Sequence, residues 1–148
     1  MPPIKVMKPL WKHEPDKQDY PAAANYLSLL ADAHVVDRLV KELKKAPIVT
    51  YHAKDLIRAS RLKPLPMDDA HVREDILKVI NGVKLSPVLL VRGGIEHDLP
   101  LTIADGYHRV CASYHLADDT DIPARIIDLP NDLHQVAKGL AEAGKRKK

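Results

Sequence analysis

The chain has no phenylalanine, one tryptophan and one cysteine in 148 residues, and aromatics make up only 4%. A core without aromatic bulk has to be aliphatic. With 45% hydrophobic residues there is enough Leu, Ile, Val and Ala to fill one domain. The single cysteine, Cys111, excludes an internal disulfide framework and a Cys-rich zinc site, which makes a reducing cytoplasm the expected compartment. No apolar run approaches the roughly 20 residues a membrane span needs, so no membrane partner is expected. The opening stretch, MPPIKVMKPLWKHEP, carries charge but lacks the apolar segment of a secretory signal.

A large excess of one charge is also missing: the formal net charge is +3. Its location matters more than its size. Lys138, Lys145, Arg146, Lys147 and Lys148 crowd the C-terminus against Glu142 alone, and the rest of the chain is close to neutral. Such a tail adds weak, salt-sensitive, nonspecific affinity for nucleic acid. Alternatively it is a solvated terminus. It does not make a DNA-reading domain.

What is present reads as a mixed α/β chain. Residues 1–20 hold four prolines among alternating charges and form an irregular arm that Leu10 and Trp11 would pin to the body. Helical spacing begins near Pro21, with Asp19 as its expected cap. A second stretch from Ala33 to Lys45 places Val35, Val36, Leu39, Val40 and Leu43 on one stripe, and Pro47 ends it. Residues 21–46 therefore read as an N-terminal helical extension, with 21–45 the surface expected to meet a protein partner. Ile48–Tyr51 reads as a strand and Ala53–Ser60 as a helical turn. Pro64 and Pro66 stiffen the connection Arg61–Met67. A helix capped by Asp68 or Asp69 follows over Ala70–Ile80 and stops at Asn81-Gly82. Pro87–Val91 is a buried strand, Leu99–Ala104 a second and Ile122–Asp128 a third. Residues 47–130 form the main domain, and 131–148 a last helix followed by the basic tail.

The segment that carries chemistry is Asp105-Gly106-Tyr107-His108-Arg109. A strand ends at Ala104 and a helix starts within two or three residues. A helix N-terminus offers unpaired N–H groups and partial positive charge. Gly106 lets a ligand approach the backbone, Arg109 adds a five-donor fork suited to phosphate, and His108 adds a further donor. Together these describe an anion site whose natural occupant is phosphate. The competing reading is structural: Gly106 ends a strand, His108 faces solvent and Arg109 pairs with Asp105. Tyr107 either stacks on a ligand or turns inward with Val110 and Tyr114. Cys111 lies near His108 and His115 in sequence, yet a lone cysteine on an apolar helix face reads first as a small core residue. No third ligand stands at characteristic spacing to His108 and His115, so no metal site is expected.

Three stretches carry a family resemblance: DILKVINGVKLSPVLLV, PLTIADGYHRVCASYHL and IPARII. From Asp75 to Asp128 the chain resembles the core of the ParB/sulfiredoxin superfamily, and more faintly so back to Ile48–Ser60. There a helix leads through a proline into a buried strand. A second strand then delivers a Gly-x-[His/Arg]-Arg-x-x-Ala loop–helix, and a strand beginning Ile-Pro follows. Gly106-Tyr107-His108-Arg109-Val110-Cys111-Ala112 is the matching string. The resemblance implies a small mixed sheet flanked by helices. It also implies a nucleoside triphosphate ligand, ATP or CTP with Mg²⁺, held by Gly106, Tyr107, His108 and Arg109. ParB proteins bind CTP with Gly-Glu-Arg-Arg. Sulfiredoxins bind ATP with Gly-Cys-His-Arg and reduce a cysteine sulfinic acid. An archaeal branch with Asp-Gly-His-His-Arg phosphorylates free serine.

The departures matter as much. The sulfiredoxin nucleophile would sit at Tyr107, where a phenol cannot replace a thiolate, so that reaction is not expected. Only a short stretch follows Asp128, so a helix-turn-helix DNA reader is not expected either. Phosphotransfer or nucleotide hydrolysis stays open, with Asp105 or Asp55 as candidate base. His71, with Arg73 and Asp75 on the same helix, occupies ground from which family members reach the nucleotide. Arg58 and Arg61 fall near a turn that faces the triphosphate in ParB proteins.

Overall fold

The structure is a computed structural model, and it describes residues 7–130. Among them are five helices and a four-stranded mixed sheet, so the coarse α/β class is met. The helices are α1 (Asp19–Leu27), α2 (Ala33–Lys45), α3 (Ala53–Ser60), α4 (Ala70–Ile80) and α5 (Tyr107–Leu116). The strands are β1 (Ile48–His52), β2 (Val88–Val91), β3 (Thr102–Asp105) and β4 (Asp121–Ile127), in the spatial order β1-β4-β2-β3. β4 runs antiparallel to β1 and parallel to β2, and β2 runs antiparallel to β3. The C-terminal helix and basic tail expected over 131–148 lie outside the described residues, as do positions 1–6.

Period-two alternation splits the strand residues between two cores. Val88, Leu90, Ile103, Ile122 and Ala124 face a cluster shared with α3, α4 and α5. Leu89, Val91, Ala104 and Ile127 face the opposite cluster, filled by Ala23 and Leu27 of α1 and Val36, Leu39 and Leu43 of α2. β2 is buried on both faces, which is why its sequence is a continuous apolar run rather than an alternating one. The helices read as an N-terminal extension are therefore a layer of the sheet. Their apolar stripe is spent on it, at roughly 2 kcal/mol for each buried leucine. Arg125 on β4 fixes the end of α2 by donating to the carbonyls of Lys44 and Ala46.

Two local expectations need correction. Asp19 does not cap α1. The N-cap is Gln18, with no side-chain bond, and the Asp19 carboxylate accepts instead from Ser86 Oγ and the Asp16 N–H. The arm is pinned by Trp11, which packs against the α3–α5 core, and by backbone bonds between Leu10, Lys12 and Leu85. The Leu10 side chain itself stays exposed, because its main chain does the holding.

Candidate functional site

The strand-to-helix turn forms where the sequence places it. β3 ends at Asp105, Gly106 is the N-cap with φ +105°, and α5 starts at Tyr107. Gly106 is required here by the packing itself, and it also lines the cavity described below. A Cβ on it would sit 2.4 Å from Val88 Cγ1 and 2.7 Å from Arg109 Nη2, so the ground beside its α-carbon is already filled. A glycine cap has no side chain to accept from the helix, so α5 starts uncapped, whereas Asp32 caps α2 and Asp69 caps α4.

Arg109 sits on the first turn of α5, and both Nη atoms of its fork are engaged. Nη2 donates to Asp105 Oδ2 at 2.7 Å and Nη1 to Ser86 Oγ at 2.9 Å. Ser86 Oγ donates in turn to Asp19 Oδ2 at 2.7 Å, and Asp19 Oδ1 lies 3.7 Å from Nη1. The Arg109, Asp19 and Asp105 side chains are only 15%, 8% and 16% exposed. Burial pushes the Asp105 carboxyl above its usual range, although Arg109 pulls it down. The buried Nε of Arg109 has no partner among the described residues. The pairing with Asp105 is the one the structural reading of the motif named, and the guanidinium is balanced by two carboxylates.

Beside this network lies a cavity of about 320 Å³. His108 and Arg109 both line it, as does His71 from the first turn of α4. The His71 and His108 rings are 4.8 Å apart, so the starts of two helices meet at the cavity. The N-terminal arm contributes Lys12, Asp16 and Asp19, and α4 contributes Asp75 and Lys78. Lys12, Lys78, Lys84 and Arg109 face Asp16, Asp19, Glu74, Asp75 and Asp105, so the lining is balanced in charge rather than electropositive. Asp75 is buried, and burial pushes its carboxyl upward against the pull of Lys78 and Arg109.

The remaining candidates go elsewhere. The Tyr107 ring is turned away from this cavity: its hydroxyl donates to the Lys63 carbonyl, and burial pushes the phenol up to about 12. Tyr107, Cys111 and His115 stand at i, i+4 and i+8 on one face of α5. The connection they meet holds two prolines that deny it regular pairing, and they supply the partners: Leu65 N–H bonds to Cys111 Sγ at 3.4 Å, and His115 Nε2 lies 2.6 Å from the Leu65 carbonyl. Cys111 is fully buried, and burial raises its thiol pKa, so it is a packing residue. Arg58 and Arg61 line a separate cavity, paired with Asp55 and Asp98, which removes them and Asp55 from the His108 site. Sequence reasoning missed Ser86 and undervalued Asp19. Only the Pro87 strand start hinted that Ser86 would be buried. Among the described residues no group of three or more His, Cys, Asp or Glu side chains is placed to hold a metal, and no helix is long and apolar enough to cross a membrane. Comparison with family models, curated proteins and solved structures finds no match to the chain.

Proposed function

We propose that the protein is a ParB/sulfiredoxin-like domain that binds a nucleoside triphosphate, ATP or CTP with Mg²⁺, in the cavity beside Asp105–Arg109. The observation that carries this reading is the meeting of three phosphate-suited features on one cavity: the uncapped start of α5, the His71–His108 pair, and Arg109. Lys12, Lys78 and Lys84 add charge for a polyphosphate. The facing carboxylates fit the same ligand. Asp75 and Asp105 are hard oxygen donors suited to Mg²⁺ that arrives with the nucleotide, and carboxylates also accept from ribose hydroxyls. Tyr107 contributes its backbone to the helix start rather than a stacked ring.

A second reading, phosphotransfer or hydrolysis in the same cavity, is favoured by Asp105. A carboxyl whose pKa is raised by burial is better matched to act as a base near neutrality. Its contact with Arg109 would have to loosen when phosphate takes the guanidinium.

The test is a thermal-shift screen with ATP, CTP, GTP and ADP plus Mg²⁺ at millimolar concentration, alongside product analysis. Ligand at about ten times its Kd stabilises by about 1.4 kcal/mol, a rise of several degrees for a chain of this size. His108→Ala should remove that rise and leave the ligand-free melting temperature nearly unchanged. Release of ADP or of a phosphorylated acceptor supports turnover. No shift with any of the four nucleotides overturns both readings.

A further inference from the structure

A second cavity, of about 780 Å³ and open to solvent on one side, lies apart from the His108 site, bounded by α3, the sheet and the 92–99 loop. Its floor is apolar: Tyr51 from β1, Leu56 from α3, Leu101 from the approach to β3, and Ile126 from β4. Its rim carries Arg58, Arg61 and Arg92. Arg61 and Arg92 are held by Asp98 and Asp128, at 2.6 and 2.5 Å, and neither aspartate belongs to the lining. These pairs are solvent-exposed, so an incoming anion displaces them at little cost.

The cavity is braced rather than floppy. Gly94 and Leu99 exchange backbone hydrogen bonds at 3.0 and 2.9 Å, and Leu101 N–H donates to the Ala59 carbonyl at 2.9 Å. Gly93 sits so close to the 99–100 backbone that a Cβ would fall 2.2 Å from the Leu99 carbonyl oxygen.

We propose that this cavity binds a small carboxylic acid with an aromatic or aliphatic body. The volume falls within the range of small-molecule sites, roughly 300–1,000 Å³. The apolar floor takes the body, and Arg92 or Arg61 takes the carboxylate in a two-point contact. A polyphosphate is disfavoured. The helix end nearest the arginines is the C-terminal turn of α3, whose dipole is negative, and Asp55 and Glu96 also line the cavity.

The probes are 1-naphthaleneacetate, octanoate and the neutral 1-naphthaleneacetamide, titrated into the full chain and followed by amide chemical shifts. Saturable shifts are expected at Tyr51, Leu56, Gly93, Gly94 and Leu101, with the Gly106–Arg109 amides unmoved. The amide probe should bind at least tenfold more weakly than the acid. Arg92→Gln should weaken the acid about tenfold and leave the nucleotide response intact, with Arg61→Gln as the second variant. The proposal is overturned by no saturable shift at millimolar concentration, by shifts centred on Gly106–Arg109, or by equal binding of acid and amide. Nucleotide titration of the same sample reads the His108 site separately.

Discussion

Gly106→Ala tests the frame on which the His108 site depends. Two costs arise together. The first is conformational: φ +105° lies in the region that L-residues avoid, which costs about 1–2 kcal/mol. The second is steric. The new methyl would fall 2.4 Å from Val88 Cγ1, and Val88 is fully buried in the middle of the sheet. Overpacking of that kind costs about 1–3 kcal/mol. The expected total is about 2–5 kcal/mol, read as a fall in the urea midpoint of roughly 1–2.5 M at an m of about 2 kcal/mol/M. Gly82 separates the two costs. It also has positive φ, +71°, but a Cβ there meets nothing within 4 Å, so Gly82→Ala should lose only the conformational part, about 1 kcal/mol. Trimming the obstacle completes the set. Combining Gly106→Ala with Val88→Ala should give a smaller loss than the sum of the two single losses, by about 1 kcal/mol. The methyl would also lie 2.7 Å from Arg109 Nη2, so the guanidinium has to move from its place beside Asp105. A Gly106→Ala midpoint equal to that of Gly82→Ala would refute the packing argument, and strict additivity with Val88→Ala would refute the identity of the obstacle.

Asp75 gives a pH test. Burial raises its carboxyl pKa, so its ionisation opposes folding; stability is highest below the ordinary carboxylate pKa and falls as pH rises through the raised one. Asp75→Asn should therefore stabilise the protein at pH 7 with a gain that vanishes near pH 3, and denaturant melts that show an equal or reversed effect at the two pH values would contradict this. Cys111, buried with a raised pKa, should resist thiol reagents in the native protein at neutral pH and react once denaturant opens the core; stoichiometric labelling of the native chain within minutes would place the thiol at the surface. Arg109→Met should cost about 3–5 kcal/mol, because it leaves the buried Asp19 and Asp105 carboxylates without their cation, and adding Asp105→Asn should recover part of the loss. Additive losses in urea melts would show that the two side chains do not interact.

The elements were legible because each rests on a local signal. Asp69 before α4, the stripe from Val36 to Leu43, and the unbroken apolar run of β2 all mark their own structure without knowledge of the fold. The site was legible only in its local part. Gly106, His108 and Arg109 lie within one helical turn, so the motif foretold their meeting. The pairing of Arg109 with Asp105, at i and i−4 across the turn, was also within reach. What the motif could not carry was the third dimension. Asp19 and Ser86 are 67 residues apart, and only the packing of α1 on the sheet brings them together under Arg109. Tyr107 shows the same limit from the other side. Its placement was decided by a proline-interrupted segment whose backbone needed partners, and nothing in the string Asp-Gly-Tyr-His-Arg records that need. The consequence is specific. A motif read alone overstates the positive charge of this site, because the carboxylate that most quiets Arg109 after Asp105 comes from the start of α1. The affinity of the cavity for phosphate is therefore set jointly by the motif and by the chain segment that closes over it.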